Sequence, residues 1–573
     1  MATDGAGLRL PNSVSARYVS RMDLVITILV LLLVVALSGA VVRILPFRLP
    51  LPLIQIGLGA VLARPFGVHV EFDPELFFLL FIPPLLFADG WRIPKRELFL
   101  LRGPILALAI GLVMFTIVGV GYFVHWMIPT VPLAVAFALA AVLSPTDAVA
   151  MSSVTGGTRM PPRLMHILSG EALLNDASGL VALQFAVAAE ITGRFSALHA
   201  ARDFAITAVG GVAAGALVAV AFGLFRRRLV RWSGEVDPAS QVALLLLLPF
   251  AAYLLAEHFD VSGILAAVAA GMMMNYTDVL KGGYVATRMQ NSAVWSMVEF
   301  VFNGLIFLLL GMQLPNIIGG AKTDLQQAGG GELWYLAAYI VAITLALVIL
   351  RFIWVWVSLR FVLMRALHRG EKRPKVGTRL MWTTALAGVR GAITMAGVLS
   401  LPFMKAPGVP FPVRDLMIFL ASGVILCTLV FGAVGLPLAV KSLKLPGEDP
   451  RVREERKARA LTAEAALRGI AEEQKKVEDG GDADAIALAS RVAARVMADY
   501  QQRLEAAGEE GDVPGKARAE AGTERAMRLA ALRAERRQLF ELRRDHTIND
   551  ETLHTLIREV DLAEAALTDL HAG

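Results

Sequence analysis

Ser169-Gly170-Glu171-Ala172-Leu173-Leu174-Asn175-Asp176-Ala177-Ser178-Gly179-Leu180-Val181 sets two carboxylates inside a stretch otherwise built from small and apolar residues. Helical spacing puts Asn175 and Asp176 about one turn beyond Glu171, near the same side. Whether this stretch lies in water or in lipid decides the fold, and the residues around it point to lipid. Apolar runs fill roughly the first 440 residues and then stop. The whole chain has 573 residues, 56% of them hydrophobic and 18% charged, against about 25% charged in a soluble globular protein. A bilayer crossing takes about 20 mainly apolar residues as a helix. That criterion yields thirteen expected spans, centred near Leu32, Ile54, Phe81, Leu112, Ala140, Asp176, Gly215, Leu247, Ala267, Leu305, Leu345, Gly391 and Ile425. The expected fold is an all-α polytopic membrane protein with interrupted crossing helices and a helical tail.

Alternate loops carry the basic residues: Arg92/Lys95/Arg96/Arg102, Arg159/Arg163, Arg226/Arg227/Arg228/Arg231, Lys281/Arg288 and Arg365/Arg369/Lys372/Arg373/Lys375. Lysine and arginine accumulate on the cytoplasmic side, so the tail is expected in the cytoplasm and the N-terminus outside. Arg9, Arg17 and Arg21 run against that placement. The net charge of +6 is thus read as topology rather than as a nucleic-acid surface. The expected organisation is a segment 1–21, a membrane domain 22–440 and a cytoplasmic helical tail 441–573. Breaks at Gly480–Gly481 and over Gly508 to Gly515 divide the tail into three helical segments. Its mixed charge reads as a solvated face, or as a regulatory or dimer-supporting module. The lone Cys427 excludes a disulfide within the chain.

A charged side chain at the bilayer centre costs about 2.5–3.5 kcal/mol on insertion scales, so such residues face a polar cavity or a partner. Asp147, Glu171, Asp176 and Arg390 are placed this way. Asp147 closes Ser144-Pro145-Thr146-Asp147, where the proline frees a carbonyl one turn earlier that needs protein or water around it. Arg390 stands in Gly388-Val389-Arg390-Gly391-Ala392, whose glycines permit irregular backbone. Interrupted helices in matching positions of two halves point to a transporter site. Two close carboxylates raise each other's pKa unless a cation intervenes, and Arg390 is expected to neutralise Glu171. That leaves Asp176 to titrate and to bind a metal ion. A purely structural ion network is the plainer reading of the same residues.

Those three motifs resemble the core motifs of bacterial NhaP-type and animal NHE-type sodium/proton antiporters. Phe81-Ile82-Pro83-Pro84-Leu85-Leu86-Phe87-Ala88-Asp89-Gly90 is similar to the third-span motif tied to inhibitor sensitivity in the animal members, and Trp295 to Gly311, with Glu299 and Asn303, to the tenth span. The resemblance covers most of residues 22–440 and not the tail. It implies thirteen helices in two inverted six-helix repeats, a homodimer and a mobile core. Asp176 then matches the ion-binding aspartate and Asn175 its neighbour. Thr146 joins Asp176 in holding Na+, Asp147 orients Asn175 and Arg390, and Glu171 pairs with Arg390. Asparagine at 175 resembles the branch exchanging one cation for one proton. Ala172 departs from the serine of many members and removes one oxygen from the ion shell.

The implied activity is secondary antiport of Na+, with Li+, against H+ across the inner membrane, in the service of pH homeostasis. K+/H+ exchange is the alternative, and a cation channel or a membrane sensor is the rival class. Glu299 is expected in an ion funnel or a helix–helix hydrogen bond, and His166 at a loop end or as a pH sensor. No nucleophile–base set, H-E-x-x-H motif or phosphate loop appears, so neither an enzyme nor a cofactor is expected.

Overall fold

The computed structural model describes residues 12–45, 49–63, 74–155, 160–193, 197–233, 237–274, 285–327, 333–368, 377–406, 408–443, 450–480, 483–508, 514–545 and 547–568. Of the basic loop residues, Arg159, Lys281, Arg369, Lys372, Arg373 and Lys375 lie outside these, as do Arg9, Gly481 and Gly511. The chain divides into two compact units, Met1–Leu445 and Pro446–Gly573.

The first unit is nearly all helix. By length and composition, eight described helices can cross a membrane: Val25–Ile44, Arg102–Met127, Pro162–Thr192, Arg202–Trp232, Pro238–His258, Gln290–Pro315, Trp334–Phe361 and Arg414–Lys441. A ninth results if Leu133–Leu143 and Ala148–Thr155, bent by 53° at their break, count as one span. The other four expected centres fall on shorter or interrupted helices: Leu51–Ala63, Pro74–Arg92, Gly263–Met273, and the pair Thr378–Leu386 and Ala392–Leu399. For Leu51–Ala63 and Gly263–Met273 the reason is length, since 13 and 11 residues make at most about 20 Å of helix against a hydrocarbon core of about 30 Å. The first helix begins at Asn12. Leu29, Leu33, Leu217, Leu224, Leu345 and Leu438 are exposed on the outsides of the long helices. In a bilayer these face lipid, and the association of such helices rests on close packing and small residues.

The shorter helices are gripped by their neighbours. A methyl group on Gly59 would lie 2.0 Å from Leu308 O and one on Gly311 2.0 Å from Ile56 O, so Leu51–Ala63 and Val285–Gln327 cross backbone to backbone. Gly90 and Gly271 repeat this reciprocal contact between Pro74–Arg92 and Gly263–Met273, at 2.5 Å from Val268 O and 2.2 Å from Phe87 O. These four helices pack with Asn12–Ile44, Ala197–Ser233 and Pro238–His258. The two broken spans pack instead with Pro162–Thr192, Val113–Met127, Leu333–His368 and Arg414–Lys441.

One short two-stranded sheet, Met404–Ala406 against Val409–Pro410, departs from the all-helical expectation. Lys405 Nζ lies 2.6 Å from Glu190 Oε1. Arg414 closes the end of the Ala392–Leu399 helix by donating to Leu401 O at 2.9 Å and Leu399 O at 3.2 Å.

Among the described residues the second unit holds four helices, Pro450–Gly480, Ala483–Gly508, Pro514–Arg544 and Asp550–Thr568, rather than three. They pack as two successive pairs. The additional break is made by Asn549, whose side-chain oxygen accepts the Thr552 N–H at 2.8 Å and starts the last helix, as a capping asparagine does. Arg536 pairs with Asp561 and Glu564 across the second pair.

Candidate functional site

Two interrupted helices meet beside one continuous helix. At the first break Pro145 ends Leu133–Leu143, and the Asp147 N–H, denied its helical acceptor, donates to Val389 O at 2.8 Å. The carbonyl it leaves, Leu143 O, receives Arg390 Nε at 3.0 Å. The two broken spans thus exchange hydrogen bonds across the gap. The Asp147 carboxylate completes the joint: Oδ1 accepts from Val149 N at 2.7 Å and Ala150 N at 2.9 Å, and Oδ2 from Ala392 N at 3.2 Å. It therefore caps the N-termini of both Ala148–Thr155 and Ala392–Leu399, where orphan N–H groups and the positive end of the helix dipole favour an anion. Gly391 makes this possible, because a methyl there would lie 1.7 Å from Asp147 Oδ2.

Pro162–Thr192 runs unbroken past this joint with Glu171, Asn175 and Asp176 all buried. Asn175 Nδ2 donates to Thr146 Oγ1 at 3.0 Å, and Thr146 Oγ1 to Glu171 Oε1 at 3.3 Å. Ser144 satisfies its hydroxyl locally on Ala141 O at 2.9 Å. Two oxygen groups are left over. Asn175 Oδ1 is buried with no hydrogen-bond partner. The Asp176 carboxylate, in a residue 6% exposed, has no hydrogen bond or ion pair among the described residues.

The expected pairing of Glu171 with Arg390 does not form. Glu171 is held by Arg351, from Leu333–His368, with NH1 2.5 Å from Oε1 and NH2 2.7 Å from Oε2. Arg351 Nε also donates to Thr384 O at 2.9 Å, bracing the second broken span. Both Glu171 oxygens are thus engaged by one planar fork, the geometry in which arginine binds a carboxylate best. Arg390 turns to backbone carbonyls, Leu143 O and Gly388 O. Asp147 likewise holds backbone N–H groups rather than Asn175 or the Arg390 side chain, and Thr146 is what orients Asn175.

Arg351 was absent from the expected site although its signal was plain: a lone arginine in Val348-Ile349-Leu350-Arg351-Phe352-Ile353. Asp89, quoted above only within a motif, is a further acid near the site, within electrostatic range of Asp147 and Glu299. Glu299 makes a helix–helix contact, an ion pair with Arg92. His166 is partly buried in the first turns of Pro162–Thr192. Ala172 is buried and brings no side-chain oxygen. Among the described residues no three His, Cys, Asp or Glu side chains group as a multidentate metal site.

Residues 29–441 match the family described as sodium/hydrogen exchanger, transmembrane. The chain is 46% identical over 556 residues to the uncharacterized Na(+)/H(+) exchanger YjcE of Escherichia coli strain K12, covering 96% of this chain and 100% of that one. It is 45% identical over 422 residues to the sodium, potassium, lithium and rubidium/H(+) antiporter of Bacillus pumilus strain SAFR-032, over 73% of this chain and 61% of that protein. Its fold is similar to that of the sodium proton antiporter MjNhaP1 from Methanocaldococcus jannaschii, with a TM-score of 0.54 over 74% of this chain and 100% of that chain, at 17% identity.

Proposed function

Because the chain belongs to the sodium/hydrogen exchanger family, we propose that it is a secondary antiporter in which Na+, or Li+, and H+ compete for the carboxylate of Asp176. The observation that carries this reading is the pair of unengaged oxygens, Asp176 and Asn175 Oδ1, buried beside a joint in which Glu171, Asp147 and Arg390 are each compensated.

Charge bookkeeping supports a one-for-one stoichiometry. Glu171 is matched by Arg351. Asp147 is matched by two helix N-termini and Arg390 by carbonyls at a helix C-terminus, each arrangement being favourable to its charge. Of these four groups Asp176 alone is left uncompensated. One Na+ or one H+ neutralises it, so the loaded core carries the same charge in either direction and exchange is electroneutral, one for one. Crossing unloaded would take a bare buried carboxylate through the low-dielectric interior, a costly state, which is why the two fluxes are coupled. Thr146 and Asn175 present oxygen to the cation. The cycle runs on an ion gradient and needs no cofactor, Na+ and H+ being cargo.

The same reading makes the protein a multi-pass homodimer of the inner membrane, with thirteen spans, an outside N-terminus and the tail 441–573 in the cytoplasm. What supports inverted repeats of six helices is the pair of reciprocal glycine crossings. Gly59 is the ninth residue of Leu51–Ala63 and Gly271 the ninth of Gly263–Met273, the second spans of the two halves, and each meets the third span of the other half.

A second reading, K+/H+ exchange, is favoured by Ala172 and by the Bacillus pumilus relative, whose name includes potassium and rubidium. Proteoliposomes with an internal pH-sensitive dye, challenged with Na+, Li+ and K+, separate the two. Asp176→Asn is expected to abolish exchange of every cation, by at least about a hundredfold, since the variant loses both the proton and the charge; wild-type rates in a folded Asp176→Asn protein would refute the site. A current in planar bilayers faster than exchange would mark a channel instead.

A further inference from the structure

Arg92 ends the Pro74–Arg92 helix, and its guanidinium is ion-paired with Glu299 Oε2 on Val285–Gln327. Its other terminal nitrogen donates to Ser296 Oγ, one turn away, at 3.3 Å. The pair is lopsided: the Arg92 side chain is 45% exposed and that of Glu299 15%. Glu299 Oε1 is buried without a hydrogen-bond partner, as are Trp295 Nε1 and Asn291 Oδ1 at four-residue intervals along the same helix face. One turn before Arg92 stands Asp89, within electrostatic range of Glu299, Asp147 and Arg92. Asp176 in turn feels Asp147 and Asp89. Glu299, Asp89, Asp147 and Asp176 are thus acids each within electrostatic range of the next.

A half-exposed ion pair is a weak staple, worth about 0–1 kcal/mol, so holding two helices together is a poor account of Arg92. As a positive charge beside a partly desolvated acid it acts more strongly, because charges lining a low-dielectric cleft set the local concentration of an approaching ion. We propose that Arg92 sets the affinity with which the exchanger admits its cation, by occupying Glu299 and competing with the incoming ion for its free carboxylate oxygen. The inference rests on the exchange reading above and assigns Glu299 as an outer cation station.

Initial rates of exchange in proteoliposomes, measured against Na+ concentration, test it. Arg92→Gln is expected to lower KM about three- to tenfold with the maximal rate within about twofold, the size of effect one charge exerts near a cleft. Glu299→Gln is expected to raise KM by a similar factor, Arg92→Gln/Glu299→Gln to return near the wild-type KM, and Arg92→Lys to keep it. An unchanged or raised KM in Arg92→Gln overturns the proposal. So does a loss of maximal rate and thermal stability at constant KM, which marks a structural staple. Asp176→Asn, assayed in parallel, separates the two readings: its failure to abolish exchange removes the central site, whereas an unmoved KM in Arg92→Gln removes only the outer station.

Discussion

The two broken spans solve one problem with different residues. In Leu133–Leu143 and Ala148–Thr155 the chain is stopped by Pro145 and supplies an acid, Asp147, that caps its own second half. In Thr378–Leu386 and Ala392–Leu399 the chain is loosened by Gly388 and Gly391 and supplies a base, Arg390, that goes to the carbonyl end of the first span. Proline breaks a helix by removing a donor, whereas glycine permits the partner to come close. The difference teaches that the second span is shaped around the first: its glycine leaves the room that Asp147 fills. It also has an outside brace, Arg351 on Thr384 O, for which the first span has no counterpart among the described residues.

Removing that brace is the largest perturbation expected. Arg351→Ala leaves Glu171 charged and buried and is expected to cost about 3–5 kcal/mol, the usual penalty for breaking a buried pair from one side. Thermal unfolding in detergent reads it, and Arg351→Ala with Glu171→Gln should recover part of the loss. Full recovery of stability with Arg390→Ala/Glu171→Gln instead would restore the pairing first expected from sequence. Gly391→Ala comes next. Its methyl cannot coexist with Asp147 Oδ2, and a cost of about 1–3 kcal/mol with loss of exchange is expected. Gly435→Ala, in the unbroken Arg414–Lys441 helix, where the nearest atom is 3.6 Å from the added methyl, should be nearly silent; equal effects at the two glycines would refute the claim that Gly391 leaves the room Asp147 fills. The smallest is Asp147→Asn, which keeps an oxygen for Val149 and Ala150 but turns an amide toward the Ala392 N–H. It should cost about 1–2 kcal/mol of helix-terminus stabilisation, read as a fall of a few degrees in melting temperature, and slow exchange about tenfold.

Much of this arrangement was legible in the residues because breaks and buried charges are expensive, and what is expensive in a bilayer stands out. Pro145, Gly391 and the acids of Glu171 to Asp176 marked the joint, and Asp176 emerged as the unengaged carboxylate. What sequence could not supply was which helix faces which. Glu171 had two arginines to choose from on different spans, and Arg351, lying in a long apolar helix without a proline or glycine to mark it, was passed over for Arg390. The tail break at Asn549 was missed because no glycine announces it, although Asn549-Asp550-Glu551-Thr552 carries a helix-starting signal. The small sheet at 404–410 was hidden by its length: three residues and two hold too little alternation to read.

Asp147 has one further consequence. A single carboxylate bonded to the amides of two separate helices works as a rivet, and pulling those helices apart would strip the Ala392 N–H of its acceptor, and the Asp147 N–H of Val389 O, inside a medium that offers no replacement. The two breaks beside Asp176 are therefore pinned to each other in both directions, carboxylate to amide and guanidinium to carbonyl, and at that seam the two spans hold as one piece.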